Sequence, residues 1–275
     1  MLIDTHCHLH DSEWFTPEQA EQFLREAHDN NVQKIICIGT NPEDSFNARD
    51  FAESHDDAHW TYGIHPEFAT DDKRWDEDIS LLLERIRGYD EEERRNPVAT
   101  DVADAPRGKK VKCSRAPVAI GEVGLDYHYD GYDRAAQIRL FERMLQLALD
   151  LHLPVSLHIR EAFTDTFAIL DNFPQITGVV HSFTGSKRDL RQALERGFYI
   201  GVNGLCTYTT NPLPPLEKMV LETDAPFLTP APFRGTINKP GYVKVIATYL
   251  TEKLGVAEVN IVEQTTQNAR NIFQI

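Results

Sequence analysis

Short apolar stretches rich in β-branched residues alternate with longer amphipathic stretches from one end of the chain to the other. Buried parallel strands have the first pattern, and the helices that cover them have the second. The alternation therefore predicts βα units around a parallel sheet. The eight predicted strands are Leu2–His8, Gln33–Gly39, His59–Gly63, Pro117–Glu122, Pro154–His158, Gly178–His181, Phe198–Val202 and Met219–Thr223.

The segments between the strands carry helix signals. Thr16, Pro17 and Gln19 have the spacing of a capping box, and Asn41 before Pro42 predicts the start of another helix. Apolar residues then recur at helical spacing, which predicts faces that pack against the sheet. Two such faces are Ile138, Phe141, Leu145 and Ala148, and Tyr242, Val243, Ile246, Tyr249 and Leu250.

Length and pattern together predict one domain. A chain of 275 residues has the usual size of an α/β barrel, so we expect a single (β/α)8 TIM-type barrel over residues 1–275. The segment Gly88–Ala116 is polar and lacks periodic apolar residues. It is predicted to be an exposed loop insertion, at about 88–116. Its basic residues could contact phosphate, but the preferred interpretation is that they are solvated.

Composition narrows the class of protein. Hydrophobic residues make up 41% of the chain and charged residues 26%, as in globular proteins. No apolar run approaches the roughly 20 residues of a spanning helix, and no secretory signal is evident, so we expect a cytoplasmic protein without a membrane partner, with a nuclear location also compatible. The four cysteines are scattered, which favours reduced thiols.

Charge bears on the partner. The formal net charge of −15 weighs against binding to nucleic acid, because phosphate binding draws on Lys and Arg. Part of the acidity lies in surface runs, and carboxylates that hold divalent cations change the local sign of the charge. The net charge therefore does not exclude a nucleic-acid substrate.

An HxH pair ends the first predicted strand, where His6 and His8 stand two residues apart. Side chains two apart on a strand point to the same side, so both imidazoles can reach one cation. Cys7 between them should point away. A lone strand histidine is usually structural, but this pair at a strand tip favours metal ligation.

Four further side chains suited to metal binding fall at predicted strand ends. Glu122 lies between two glycines after a buried run, and His158, His181 and Asp224 end or follow the fifth, sixth and eighth strands. Active sites of parallel barrels form at the carboxyl ends of the strands. Nitrogen and carboxylate ligands without thiolate suit Zn²⁺, Mn²⁺, Mg²⁺ or Co²⁺ in an open catalytic site, rather than a closed structural zinc site.

Residues beside these ligands are candidates for substrate binding. His65 follows the third strand and should project over the same rim. Arg160, Ser182 and Thr184 follow two of the ligands directly and can bind phosphate or fix the orientation of an imidazole.

Taken together, these segments resemble the TatD DNase family of metal-dependent hydrolases across nearly the whole chain. The resemblance rests on IDTHCHLH, YGIHP, IGEVGLDY, SLHIREA, VVHSFTGS and LETDAPFLTP in that order, followed by FRGTINKPGYV and NARNIF. Two loops depart from it, because Gly88–Ala116 is longer than expected and Asn203–Glu217 is shorter. The resemblance therefore predicts the metal chemistry of this chain better than it predicts the substrate.

The resemblance implies two divalent metal ions (Mg²⁺, Mn²⁺ or Zn²⁺) and a DNA substrate. In this interpretation His6, His8 and Asp224 hold one ion, His158 and His181 hold the other, and Glu122 bridges the pair. His65 lies near the scissile phosphate. The implied activity is hydrolysis of DNA phosphodiesters by a water that the two metals activate, as a 3′→5′ exonuclease on single strands. We expect a monomer with no obligate protein partner.

Asp224 is the candidate general base, and Glu122 is assigned to positioning. One alternative is hydrolysis of an amide, a lactone or an aminoacyl ester on the same scaffold, which the negative charge favours. A second alternative is a binding protein that has lost catalysis, but the presence of all six expected ligands counts against it.

Overall fold

The computed structural model describes residues 1–69, 75–95 and 116–275, with residues 85 and 87–95 described as helical backbone only. Its strands are β1 (Leu2–Cys7), β2 (Val32–Cys37), β3 (Ala58–Tyr62), β4 (Ala119–Asp126), β5 (Val155–Arg160), β6 (Gly178–Val180), β7 (Tyr199–Val202) and β8 (Met219–Leu221). Its helices are α1 (Pro17–Asp29), α2 (Pro42–Ser54), α3 (Trp75–Arg95), α4 (Arg134–Leu151), α5 (Phe163–Leu170), α6 (Lys187–Glu195), α7 (Val243–Leu254) and α8 (Glu258–Phe273).

The strands pair in parallel in the order β1 to β8. The sheet curves back on itself, since Cys7 bridges to Ala225 and the Asp224 amide donates to the His6 carbonyl at 2.8 Å. The predicted (β/α)8 barrel and its eight strands are confirmed. The largest difference is at the end of β4, which runs on beyond Glu122 to Asp126. β5 also runs on beyond His158 to Arg160.

The predicted helix starts are also confirmed. The Thr16 hydroxyl accepts from the Gln19 amide at 3.3 Å, and the Gln19 side chain accepts from the Thr16 amide at 2.9 Å. Asn41 caps α2 by accepting from the Asp44 amide. These caps satisfy amide groups that the first turn of a helix leaves without partners.

The predicted loop insertion begins too early in the sequence. Residues 88–95 continue α3, so the prediction of a loop from Gly88 is wrong for this part, and residues 96–115 lie outside the described residues. The segment after Gly88 is rich in Glu and Arg, which are strong helix formers, and Glu91 and Arg95 are spaced to pair along a helix. An all-polar stretch lacks the apolar period but keeps this propensity.

The connection from β7 to β8 is short. Two 3₁₀ turns, Gly204–Thr207 and Leu216–Lys218, occupy it in place of an α-helix. Among the described helices, none combines the length and the apolar character needed to cross a membrane. Cys7, Cys37 and Cys206 are free thiols, and Cys113 lies outside the described residues.

Two apolar clusters make up the described core. The larger one lies between the barrel and its helices and includes the fully buried Phe141 of α4. The smaller one joins Ile3, Ile36 and Val220 to Phe273 at the end of α8. Since β1, β2 and β8 contribute to this second cluster together with the last helix, apolar packing supports the barrel away from the polar strand ends.

Phe141→Ala should lower the free energy of unfolding by about 3–5 kcal/mol, because it leaves a cavity between α4 and the barrel. The measurement is chemical denaturation followed by circular dichroism. The matched control is Glu142→Ala at the adjacent exposed position, which should change stability by less than about 0.5 kcal/mol. Equal midpoints for the two variants would contradict this account of the core.

Candidate metal centre

The six predicted ligands come from five strands and meet at the carboxyl end of the barrel. His8, His181 and Asp224 follow β1, β6 and β8, whereas His6, Glu122 and His158 lie within β1, β4 and β5. The parallel arrangement brings together these residues, which are distant in sequence. The six are His6, His8, Glu122, His158, His181 and Asp224.

Glu122 lies at the centre of this group and is buried. Its Oε1 atom is 2.7 Å from His158 Nδ1 and 3.4 Å from His181 Nε2, and its Oε2 atom is 3.4 Å from His6 Nε2. Burial raises the pKa of this carboxyl, but the charges of His181 and His6 and the hydrogen bond with His158 outweigh burial and hold the pKa well below its usual value. Glu122 is therefore an anion that three imidazoles share.

Asp224 faces the HxH pair from the other side. Its Oδ1 atom lies 3.6 Å from the Nε2 atoms of both His6 and His8. The residue adopts a left-handed backbone conformation with φ of 59°, which is uncommon outside glycine and frequent at functional sites. This conformation sets the carboxylate beside β1 immediately after β8 ends.

In two of the histidines, the Nδ1 atom contacts an oxygen atom outside the group of six predicted ligands. His8 Nδ1 lies 3.0 Å from the Ile38 carbonyl, and His181 Nδ1 lies 3.2 Å from Glu222 Oε1, which is an ion-pair contact without hydrogen-bond geometry. The Ile38 carbonyl accepts the proton of His8 Nδ1, so the lone pair of His8 Nε2 points inward to Asp224, and the Glu222 carboxylate faces His181 Nδ1 from outside the cluster. In metal sites this is the usual way of fixing a histidine ligand.

The surroundings of His6 indicate whether a cation fits this site. Its side chain is 1% exposed, and its Nε2 atom faces Glu122 and Asp224 without a hydrogen-bond partner in the described structure. A buried polar atom without a partner is costly, and a cation between the imidazoles and the carboxylates would satisfy it. The donor set fits a divalent metal.

Metal binding at this set is linked to protons. The charges of Glu222, Glu122 and Asp224 outweigh burial and raise the pKa of His181 to about 10, and the carboxylates of Asp126 and Glu122 likewise raise the pKa of His158 to about 9. A histidine ligates in its neutral form. A bound cation therefore takes the place of protons that otherwise balance the carboxylates.

Glu222 is a site residue that was not predicted. It is fully buried, and its Oε1 accepts from the Ser182 amide at 2.6 Å and from Asn203 Nδ2 at 3.2 Å besides contacting His181. Gly201 leaves the space for it, since a Cβ atom there would lie 2.2 Å from Glu222 Oε2. The sequence signal that could have indicated Glu222 is its position two residues before Asp224.

Asp126 is the second unpredicted residue. Its Oδ2 atom lies 3.0 Å from His158 Nε2, so His158 contacts a carboxylate at each ring nitrogen. Asp126 is four residues after Glu122 on the same strand, and alternation places both on one face. The longer β4 is what brings Asp126 into the site.

The four predicted substrate-binding residues all line the cavity above the cluster. The His65 ring lies 4.4 Å from that of His158, and burial together with the charge of His158 lowers the pKa of His65 to about 4. Arg160 turns to the rim, where it donates to the Tyr129 hydroxyl at 3.1 Å. The Ser182 hydroxyl accepts from Asn203, and Thr184 is exposed at the opening.

The cavity has a volume of about 1000 Å³ and opens to solvent at the carboxyl end of the barrel. This is the upper end of the range for small-molecule sites, and it leaves room for a ligand larger than one phosphate group. The cluster of imidazoles and carboxylates lies in its floor.

A barrel with such a cluster defines the class of metal-dependent hydrolases, and sequence comparison agrees. The family model for TatD related DNase matches residues 3–274, so the chain belongs to this family. An uncharacterized metal-dependent hydrolase of Bacillus subtilis, YabD, is 30% identical over 100% of both chains. The 3′-5′ ssDNA/RNA exonuclease TatD of Pantoea ananatis is 30% identical over 92% of each chain.

Structural comparison gives the same family. The crystal structure of the TatD homologue YjjV from Escherichia coli superposes with a TM-score of 0.81 at 27% identity and covers 100% of this chain and 98% of its own. The protein is therefore a metal-dependent hydrolase of the TatD family with a (β/α)8 barrel.

Proposed function

We propose that the protein is a metal-dependent deoxyribonuclease that removes nucleotides from the 3′ end of single-stranded DNA. The observation that carries the proposal is the inward Nε2 geometry of His6, His8 and His181 around Glu122 and Asp224, which suits cations that bind a phosphodiester. The name of the exonuclease relative from Pantoea ananatis supports the substrate.

Two divalent ions would be held by the six side chains. His6, His8 and Asp224 would hold one, His158 and His181 the other, and Glu122 would be shared by both. When bound, such ions neutralise charge on the phosphoryl oxygens and lower the pKa of water from 15.7 to about 7. The absence of thiolate ligands favours Mg²⁺, Mn²⁺ or Zn²⁺.

Asp224 would act as the general base. Its side chain is 13% exposed and lines the cavity, whereas Glu122 is 6% exposed and occupied by three imidazoles. Burial raises the pKa of Asp224, but the charge of His181 and the hydrogen bond with His8 outweigh burial, so that the pKa lies below its usual value. The carboxylate is therefore ionised and can accept a proton. Glu122 would hold the ligands in place.

His65 would donate a hydrogen bond to the substrate phosphate. Its Nδ1 atom accepts from the Glu67 amide at 3.2 Å, which leaves the proton on Nε2. The Nε2–H group can donate to a phosphoryl oxygen beside His158. Arg160, Ser182 and Thr184 would contact the substrate at the rim.

Hydrolysis would balance as follows. The oxygen of water forms a bond to phosphorus, the phosphorus–oxygen bond to the shortened strand breaks, and Asp224 takes one proton from the water. The leaving oxygen receives a proton from solvent and becomes the new 3′ hydroxyl, and Asp224 returns its proton to solvent. The product is a nucleoside monophosphate.

The test is hydrolysis of single-stranded DNA labelled at its 5′ end by the purified protein, first with EDTA and then with Mg²⁺ or Mn²⁺ restored. The expected result is a ladder that shortens stepwise from the 3′ end only when metal is present. Absence of cleavage by the metal-loaded protein, with hydrolysis of carbonyl esters in parallel reactions, would overturn the nuclease assignment and favour the alternative substrate class.

Glu222→Ala should weaken metal binding about 10- to 100-fold, because His181 loses the carboxylate that lies 3.2 Å from its Nδ1 atom and orients it. The measurement is the concentration of Mn²⁺ that gives half-maximal activity, together with direct titration of Mn²⁺ binding. Excess metal should restore much of the activity, as a positioning role requires.

The matched control for Glu222→Ala is Glu217→Ala at an exposed position before β8. It should leave the affinity for Mn²⁺ unchanged. Equal Mn²⁺ affinities in Glu222→Ala and in this control would show that Glu222 does not position His181.

A further inference from the structure

Exposed aromatic side chains gather at the mouth of the cavity. Among the described residues, nine large hydrophobic side chains are exposed, and four of them line this one cavity. The four are Trp14, Phe68, Tyr129 and Phe227. Scattered exposed hydrophobic residues are normal, but a cluster around a cavity marks a binding surface.

Trp14 and Phe227 form a contiguous pair beside the candidate ligands. Their ring centroids are 5.2 Å apart at an interplanar angle of 78°, and Trp14 is 47% and Phe227 44% exposed. Phe227 also lies 6.4 Å from the ring of His8. Phe227 is therefore the neighbour of a candidate metal ligand, and the pair continues outward from it to solvent.

The charges around this pair disfavour phosphate. Asp11 and Glu13 share the β1–α1 loop with Trp14 and line the same cavity. Among the described residues, Arg160 is the only lysine or arginine in the lining. A phosphate near Trp14 would meet these carboxylates, whereas an uncharged nucleobase would not.

Arg160 lies on the other side of the mouth. It is the last residue of β5, which is opposite β1 in an eight-stranded barrel, and its guanidinium lies 5.0 Å from the centre of the Tyr129 ring. The cationic and the acidic sides of the mouth are thus separated by the ligand cluster. A strand that enters over Arg160 would place its last nucleotide on the acidic side.

We propose that Trp14 and Phe227 form a stacking platform for the base of the 3′-terminal nucleotide, an inference that rests on the proposed function. The terminal nucleotide carries no phosphate beyond its scissile 5′ linkage, so only its base and sugar meet the acidic side. Aromatic stacking accepts every base, since each has a π face. The platform would thus select an unpaired strand end without selecting its sequence.

The test compares two single strands with one end labelled, an oligothymidylate and the same strand whose 3′-terminal residue is abasic. For the wild-type protein, removal of the base should lower kcat/KM for the first cleavage about 10-fold. Trp14→Ala should lose a similar factor on the complete strand and should show little further loss on the abasic one. Phe227→Ala should behave likewise.

The matched control is Phe233→Ala. Phe233 is 40% exposed and stacks on Tyr242, but lies outside the described lining of the cavity. This variant should keep the wild-type preference for a terminal base. Thermal unfolding checks that all variants are folded, which their exposed positions favour.

Failure of the stacking platform and failure of the proposed function give different results. If Trp14→Ala and Phe227→Ala cleave both strands with the same ratio as the wild type, the platform is wrong while the nuclease assignment stands. If the metal-loaded wild type cleaves neither strand, the proposed function fails and the platform fails with it.

Discussion

Glu122→Gln should reduce metal-dependent hydrolysis by about 10³-fold or more, because the loss of several kcal/mol of metal-based stabilisation corresponds to that factor. Glu122 contacts His6, His158 and His181 within 3.4 Å, so replacement of its charge affects the ligands of both candidate ions at once. The amide has nearly the same size, which separates loss of charge from loss of packing. Steady-state hydrolysis of single-stranded DNA measures the effect.

The matched control is Glu43→Gln. Glu43 lines the same cavity but stands exposed in the first turn of α2. Its variant should keep activity close to that of the wild type. Similar activities for the two variants, with contaminating nuclease excluded, would remove Glu122 from the mechanism.

Removal of divalent metal should lower the thermal unfolding temperature as well as stop hydrolysis. A ligand that binds only the folded state at 100 times its Kd contributes about 2.7 kcal/mol, which for a domain of this size corresponds to about 5–10 °C. The reason is local, since the carboxylates and the buried His6 Nε2 atom lose the cation that satisfies them. Differential scanning calorimetry with EDTA and with restored Mn²⁺ measures the shift.

Glu122→Gln provides the internal control for this shift. The variant should unfold at nearly the same temperature with EDTA and with Mn²⁺, because the ligand shared by both candidate ions is neutral. A metal-dependent shift of wild-type size in the variant would place the stabilising ion at another site.

The barrel was predictable because its signals are local. Apolar runs and caps such as Thr16 with Gln19 depend on neighbours in sequence, and these predicted strands and helix starts well. The end of α3 was not predicted, because its last turns carry no apolar period.

The site was predictable to the extent that strand ends mark it. His6, His8 and Glu122 stand out in single segments, and the parallel topology then implies that they meet. Glu222 and Asp126 were missed because their partners, His181 and His158, come from other strands. Such contacts depend on the stagger between strands, which no single segment contains.

Trp14 was missed for a different reason. In the sequence it is one aromatic residue in a polar loop, and its position beside Phe227 arises only when β1 and β8 become neighbours. Sequence alone therefore predicts metal chemistry better than substrate recognition.

The most direct test of the two-metal nuclease assignment is a titration of the metal-free protein with Mn²⁺ in which bound ions and DNA cleavage are measured in the same samples. The account predicts that two ions bind per chain and that cleavage rises with the second. Full cleavage with one bound ion, or two bound ions without any cleavage of single-stranded DNA, would contradict it.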